Sequence, residues 1–136
     1  MWLLLDAHIV IWTLVDDGRL PGEARLLIEG EGNEILRNVA SSWGGVDIKH
    51  ATHLDRILTG GGSEFMGYCE TSGFSQLLIF DRHVRPLETI ERTVRVALRN
   101  DSFDRFMLAQ AKAGGLVLLM HDARIAKWGE SCVLRI

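Results

Sequence analysis

The side chains of this sequence best suited to chemistry are three aspartates, Asp6, Asp104 and Asp122. Asp6 directly follows the apolar run Trp2–Leu5, and Asp122 closely follows the run Leu116–Met120. Asp104 stands in the first turn of the amphipathic segment that leads into the second run. Carboxylates gathered in one crevice repel, and each raises its neighbours' pKa unless a cation neutralises them. A hard, oxygen-preferring ion such as Mg2+ or Mn2+ is the natural partner, held by few carboxylates and completed by water. Such an ion can activate water for attack on a phosphodiester and stabilise the charge that develops. Each aspartate also has a plainer role open to it, because aspartate is a favoured N-cap and acids suit the first turn of a helix. Asp101-Ser102-Phe103-Asp104 resembles a capping box with Asp in place of Glu. His8 and His121 flank the acids but lack zinc-ligand spacing, so they read as surface or supporting residues. Arg82, Arg85, Arg92, Arg95, Arg99 and Arg105 bunch around the approach to Asp104, as a solvated helical face or as a rail for RNA phosphates.

The elements needed to position these acids are legible in the pattern. In Asp101–Asp122, Phe103, Phe106, Met107, Gln110 and Ala113 recur at helical spacing, Gly114 and Gly115 stop the helix, and Leu116–Met120 reads as a strand covered on both faces. Earlier, Trp2–Leu5 reads as a strand, His8–Val15 as a helix, and Asp16–Gly18 as its closing turn. Pro21 suits the first position of a second helix ended by Gly30, and Glu34–Val39 makes a second strand. Ser41 or Ser42 caps a third helix running towards Leu58, with Gly44 and Gly45 unfavourably inside its first turns. Glu64–Thr71 follows as a short helix and Gln76–Phe80 as a third strand. Asp81 caps a helix through Ile90 that Pro86 must kink or shorten. Ala123–Lys127 makes a brief helix and Cys132–Leu134 a last strand. Strands alternating with helices predict an α/β fold, a parallel sheet sandwiched by helices. In such a sheet the ligand crevice lies at the strands' C-terminal ends, where all three acids are placed.

The totals agree with a single domain spanning 1–136. The chain has 136 residues, 47% apolar and 24% charged, which is the balance of a globular protein. A net charge of −3 argues against holding nucleic acid mainly by bulk attraction, though it leaves room for an enzyme whose acids bind a metal. Cys69 and Cys132 have no metal-like spacing and suggest no disulfide framework, so a reducing cytoplasm is expected. The run MWLLLDAHIVIWTLV is too short to span a membrane and lacks the features of a signal peptide. Thr59–Ser63 is linker-like but too short to divide domains.

With these residues assembled, the chain resembles the PIN-domain ribonucleases, specifically VapC-like toxins of toxin–antitoxin pairs. LLLDAHIVIW at Leu3–Trp12 is similar to that family's LLLDTHxxLW, and DDGRLPGEARLLIE at Asp16–Glu29 to its DDPRLSPxAR segment. NEILRNVASSW at Asn33–Trp43 is similar to NExxxSxxSxW, and SFDRFMLAQAKAGGLVLLMHD at Ser102–Asp122 to PFDRxLxAQAxxxGLxLxTxD. The resemblance implies a PIN-like three-layer α/β/α fold around a mostly parallel sheet of about four to five strands. It further implies Mg2+- or Mn2+-dependent endoribonuclease activity, silencing by a small cognate antitoxin, and homodimerisation. Asp6, Asp104 and Asp122 fall on three of the family's four acidic positions, and Asp101 matches a supporting acid. The fourth is absent: where the family has WEIAIK this chain has WGGVDIK, with Gly44 in place of the glutamate and Asp47 about one turn on. Ala7 also replaces a hydroxyl residue. A second possibility, from a different class, is therefore a catalytically impaired module that binds antitoxin or RNA. Haloacid-dehalogenase and receiver domains also begin with a strand ending in Asp. The first needs an Asp where His8 stands, and the second an acidic pair and a late lysine not evident here.

Overall fold

The computed structural model describes residues 1–38, 62–90, 102–122, 124 and 129–136. Among them the chain forms β1 (Trp2–Leu5), α1 (Ala7–Leu14), α2 (Gly22–Glu29), β2 (Glu34–Asn38), α3 (Gly62–Thr71) and β3 (Ser75–Leu77). A 3-10 turn (Asp81–His83) and α4 (Pro86–Thr89) precede α5 (Ser102–Gly114), β4 (Val117–Met120) and β5 (Val133–Arg135). The five strands make one sheet in the order β3-β2-β1-β4-β5, every neighbouring pair parallel. This is the α/β, PIN-like architecture the sequence predicts.

Alternation along the strands divides the core in two. Leu3, Leu5, Ile35 and Leu119 face one side and pack with Ile9, Trp12, Ala24, Ile28, Phe65 and Cys69 of α1, α2 and α3. Leu4, Leu36, Leu118 and Met120 face the other and pack with Met107, Leu108 and Ala111 of α5. Because both faces are covered, Leu3, Leu4 and Leu5 are all fully buried, and β1 reads as an unbroken apolar run rather than an alternating one.

Three helices end in the same way. At the end of α5, Gly115 has φ 63° and the Leu116 N–H donates to the Ala111 carbonyl at 2.9 Å. This is the Schellman closure, in which a left-handed residue lets the chain reverse into the next strand. Gly73 (φ 80°) with Phe74 N–H to Cys69 O at 2.9 Å repeats it after α3. After α1 the left-handed residue is Asp16 (φ 53°), a residue type that tolerates this region, with Asp17 N–H to Trp12 O at 2.9 Å. Asn33 serves α2 instead, its Nδ2 donating to the Leu27 carbonyl at 2.8 Å.

Some sequence expectations are displaced. Pro21 is the N-cap of α2 rather than its first residue. The third strand is Ser75–Leu77, not Gln76–Phe80: its ladder ends with Leu77 opposite Asn38, and Leu78, Ile79 and Phe80 lie exposed beyond it. The apolar run misleads there because β3 is an edge strand whose continuation turns away into the 3-10 segment. Asp81 caps no helix through Ile90. His83 Nδ1 accepts from the Phe80 N–H at 3.0 Å, and Pro86 starts a separate short α4. On α5 the buried stripe is Asp104, Met107, Leu108 and Ala111, with Gln110 beside it, whereas Phe103 and Ala113 are exposed. The stripe is rotated from the expected one because Leu108 and Ala111 meet Leu4 and Leu118 of the sheet. The predicted helix from Ser41 or Ser42 to Leu58, with Gly44 and Asp47, lies outside the described residues, as does Asp101. The predicted helix Ala123–Lys127 lies outside them apart from Arg124. No helix among the described residues is long and apolar enough to cross a membrane.

Truncating Leu118, buried between β1 and α5, should cost about 2–5 kcal/mol as Leu118→Ala. Leu26→Ala, at a position 74% exposed, should stay within about 0.5 kcal/mol, both read by urea unfolding.

Candidate active site

The strand order reverses between β1 and β4. From β1 the chain steps outward through β2 to β3, then crosses back to place β4 on the other side of β1. The loops leaving the C-terminal ends of two such strands diverge, and the crevice between them is the usual ligand site of an open α/β sheet. Asp6 is the first residue after β1, and its backbone N–H donates to the Leu119 carbonyl of β4 at 3.0 Å. It therefore sits at the reversal point itself.

Asp6 fills the plain role and keeps an oxygen for another. It is the N-cap of α1, with Oδ1 accepting from the Ala7 N–H at 2.7 Å. Its Oδ2 lies 3.5 Å from Nδ1 of His8, whose side chain is half exposed. Asp104, in the first turn of α5, is buried like Asp6, at 8% and 9% exposure. Contact with the Asp6 carboxylate raises the His8 pKa above its ordinary 6.5. Desolvation opposes the rise, the charges of Asp6 and Asp104 add to it, and Arg19 subtracts.

Asp122 is two residues past β4 and less buried. Its Oδ1 accepts from the Arg124 N–H at 2.8 Å, and its Oδ2 from Arg124 Nε at 2.7 Å and Nη2. The guanidinium holds this carboxyl below the usual carboxylate range, helped slightly by the charge of His121. Of the three acids predicted to share an ion, Asp6 contacts His8, Asp104 is buried in the first turn of α5, and Asp122 is held by Arg124. Among the described residues no group of three His, Cys, Asp or Glu side chains is arranged to hold a metal. Two buried carboxylates nonetheless suit a hard cation, which takes one or two protein oxygens and keeps its water.

Supporting contacts fix this edge. Trp12 is buried between His8, at a ring separation of 5.9 Å, and His121, edge-on at 4.8 Å. Arg19 lies 5.3 Å from the Trp12 ring. Gln110 ties α5 to the sheet: its Oε1 accepts from Asn38 Nδ2 at 2.9 Å, and its Nε2 donates to the Leu78 carbonyl at 3.3 Å. Arg124 and Asn38 escaped the sequence reading. An Asp-x-Arg step after a strand and an amide ending an apolar strand were the signals available. Of the expected arginine rail, Arg82 and Arg85 are exposed and Arg105 is half-buried on α5, with Arg82 stacked 4.7 Å over Phe80. Arg92, Arg95 and Arg99 lie outside the described residues.

No protein-family model matches the chain, and no curated protein matches its sequence. Among solved structures it is similar to a chain in the crystal structure of VapBC2 from Rickettsia felis bound to a DNA fragment from their promoter. The two share 9% sequence identity at a TM-score of 0.63, over 99% of this chain and 98% of that one. At that identity the likeness is one of fold.

The raised His8 pKa gives a direct test. In an NMR titration without metal, His8 should titrate above 6.5, and Asp6→Asn should lower its midpoint. The pair's contribution to stability is complete below about pH 6.5 and fades as pH rises through the folded-state value.

Proposed function

We propose that this chain is a metal-dependent endoribonuclease, the toxin of a VapBC-like pair. The observation that carries the reading is that Asp6 is buried at the point where the strand order reverses, and Asp104 is buried in the first turn of the helix that leads into the neighbouring strand. Asp6 and Asp104 hold a Mg2+ or Mn2+ ion, and Asp122 is the third ligand. When bound, the ion activates water and offsets charge on the scissile phosphate. The chain's own part is positioning. Capping of α1 orients Asp6, the Asn38–Gln110–Leu78 bonds fix α5 and hence Asp104, and β4 delivers Asp122 to the same edge.

The fold likeness to a chain of the VapBC2 complex supports a small antitoxin as partner. A second copy of the chain would cover the exposed Leu26, Met66 and Tyr68 of α2 and α3. Two free cysteines suit a cytoplasmic setting. A second reading, a catalytically impaired module that binds antitoxin or RNA, is favoured by Gly44 at the position of the expected glutamate and by the engagement of Asp122 with Arg124.

A cleavage assay on single-stranded RNA separates the two. The nuclease should cut with Mn2+, stop with EDTA, and lose at least about 100-fold in rate as Asp104→Asn, since such sites depend on positioning. Absence of Mn2+-dependent cutting in the unaltered chain would favour the impaired module. Gly44→Glu should raise metal-dependent cleavage; an unchanged rate would mean this position is not the missing ligand.

A further inference from the structure

The bond between Asp122 and Arg124 is made by the local chain alone. The same arrangement occurs at Asp17-Gly18-Arg19, where Asp17 Oδ1 accepts from the Arg19 N–H at 2.8 Å and Nε at 3.0 Å, and Oδ2 from Nη2 at 2.7 Å. An aspartate followed two residues later by arginine thus closes on itself in two unrelated turns of this fold. What differs is the setting. Asp17 and Arg19 close the turn after α1, whereas Asp122 and Arg124 stand beyond β4, on the same sheet edge as Asp6. At Asp122 the guanidinium occupies Oδ2 and the Arg124 backbone N–H occupies Oδ1.

Three properties make that cation exchangeable. The clamp spans two residues, so none of its bonds belongs to the sheet. The Arg124 side chain is 57% exposed and that of Asp122 31%, and pairs this open are held weakly. A guanidinium also matches a phosphate as well as a carboxylate, through two parallel N–H donors. We propose that Arg124 is a built-in counter-cation for Asp122: it withholds this carboxylate from the divalent ion, and releases it when the guanidinium moves to a phosphate of the RNA. Metal entry and substrate entry are then linked, and the site completes itself only when RNA is present. This rests on the reading of Asp6 and Asp104 as metal ligands.

The test measures two affinities whose expected changes have opposite sign. Mn2+ binding to the full chain, followed by EPR, should tighten about three- to tenfold in Arg124→Ala, and this gain should vanish when Asp122→Asn is added. Binding of a single-stranded RNA in EDTA should weaken in Arg124→Ala, with the slope of log affinity on log salt shallower by about 1. Arg19→Ala removes the same charge from the other clamp and should leave Mn2+ affinity unchanged. Weakening of both affinities in Arg124→Ala would mark a merely structural role, and a gain in Arg19→Ala equal to that in Arg124→Ala would mark net charge alone; either result overturns the proposal. Unchanged Mn2+ affinity in Arg124→Ala, with binding still abolished by Asp104→Asn, overturns it and leaves the metal site standing. If Asp104→Asn has no effect on Mn2+ binding, the metal reading falls and this inference with it.

Discussion

The parallel pairing of β1 with β4 is the constraint from which the rest of the structure follows. It makes β1 central, with a neighbour on each side, so that its three leucines must be covered from both faces. It assigns α1, α2 and α3 to one layer and α5 to the other. It also creates the crevice, because the backbone of Asp6 is bonded to β4 while its side chain caps the helix leaving β1. Were β4 paired elsewhere, Asp6 would remain a helix cap and nothing more.

At Asp6 the cap does not use the whole carboxylate. The cap uses one carboxylate oxygen, and the other lies 3.5 Å from His8 Nδ1. At Asp122 the local bond uses both oxygens, so the same residue type at an equivalent strand end has a different resting state. The two aspartates differ because helix α1 starts immediately after Asp6, whereas an arginine follows Asp122 at the distance its side chain can span.

Much of this was legible in the sequence. Buried parallel strands appear as apolar runs, and Gly115, which ends α5, marks a turn that a left-handed residue makes. The placing of Asp6 and Asp122 just beyond strands, and of Asp104 in the first turn of α5, was legible too. What failed did so where tertiary geometry overrides a local pattern. Leu78–Phe80 is as apolar as a strand, yet beyond Leu77 the chain turns away into the segment closed by His83. Phe103 is the largest apolar residue at the start of α5, yet the helix turns Asp104 inwards and leaves Phe103 in solvent. The Arg124 clamp was missed because hydrophobic periodicity does not register it, and its trace in the sequence is the Asp-x-Arg spacing. A resemblance carried by short motifs found the fold, although the structural neighbour shares only 9% identity.

The central strand pair also has a temporal meaning. Leu3 pairs with Val117, so the crevice joins two strands far apart in sequence. Contacts this distant in sequence form late, after the entropy of closing a long loop has been overcome. During synthesis at about 5–20 residues per second, Asp6 must wait on the order of ten seconds for β4 to be made. A growing chain therefore carries Asp6 and Asp104 before the strand pair that forms the crevice exists.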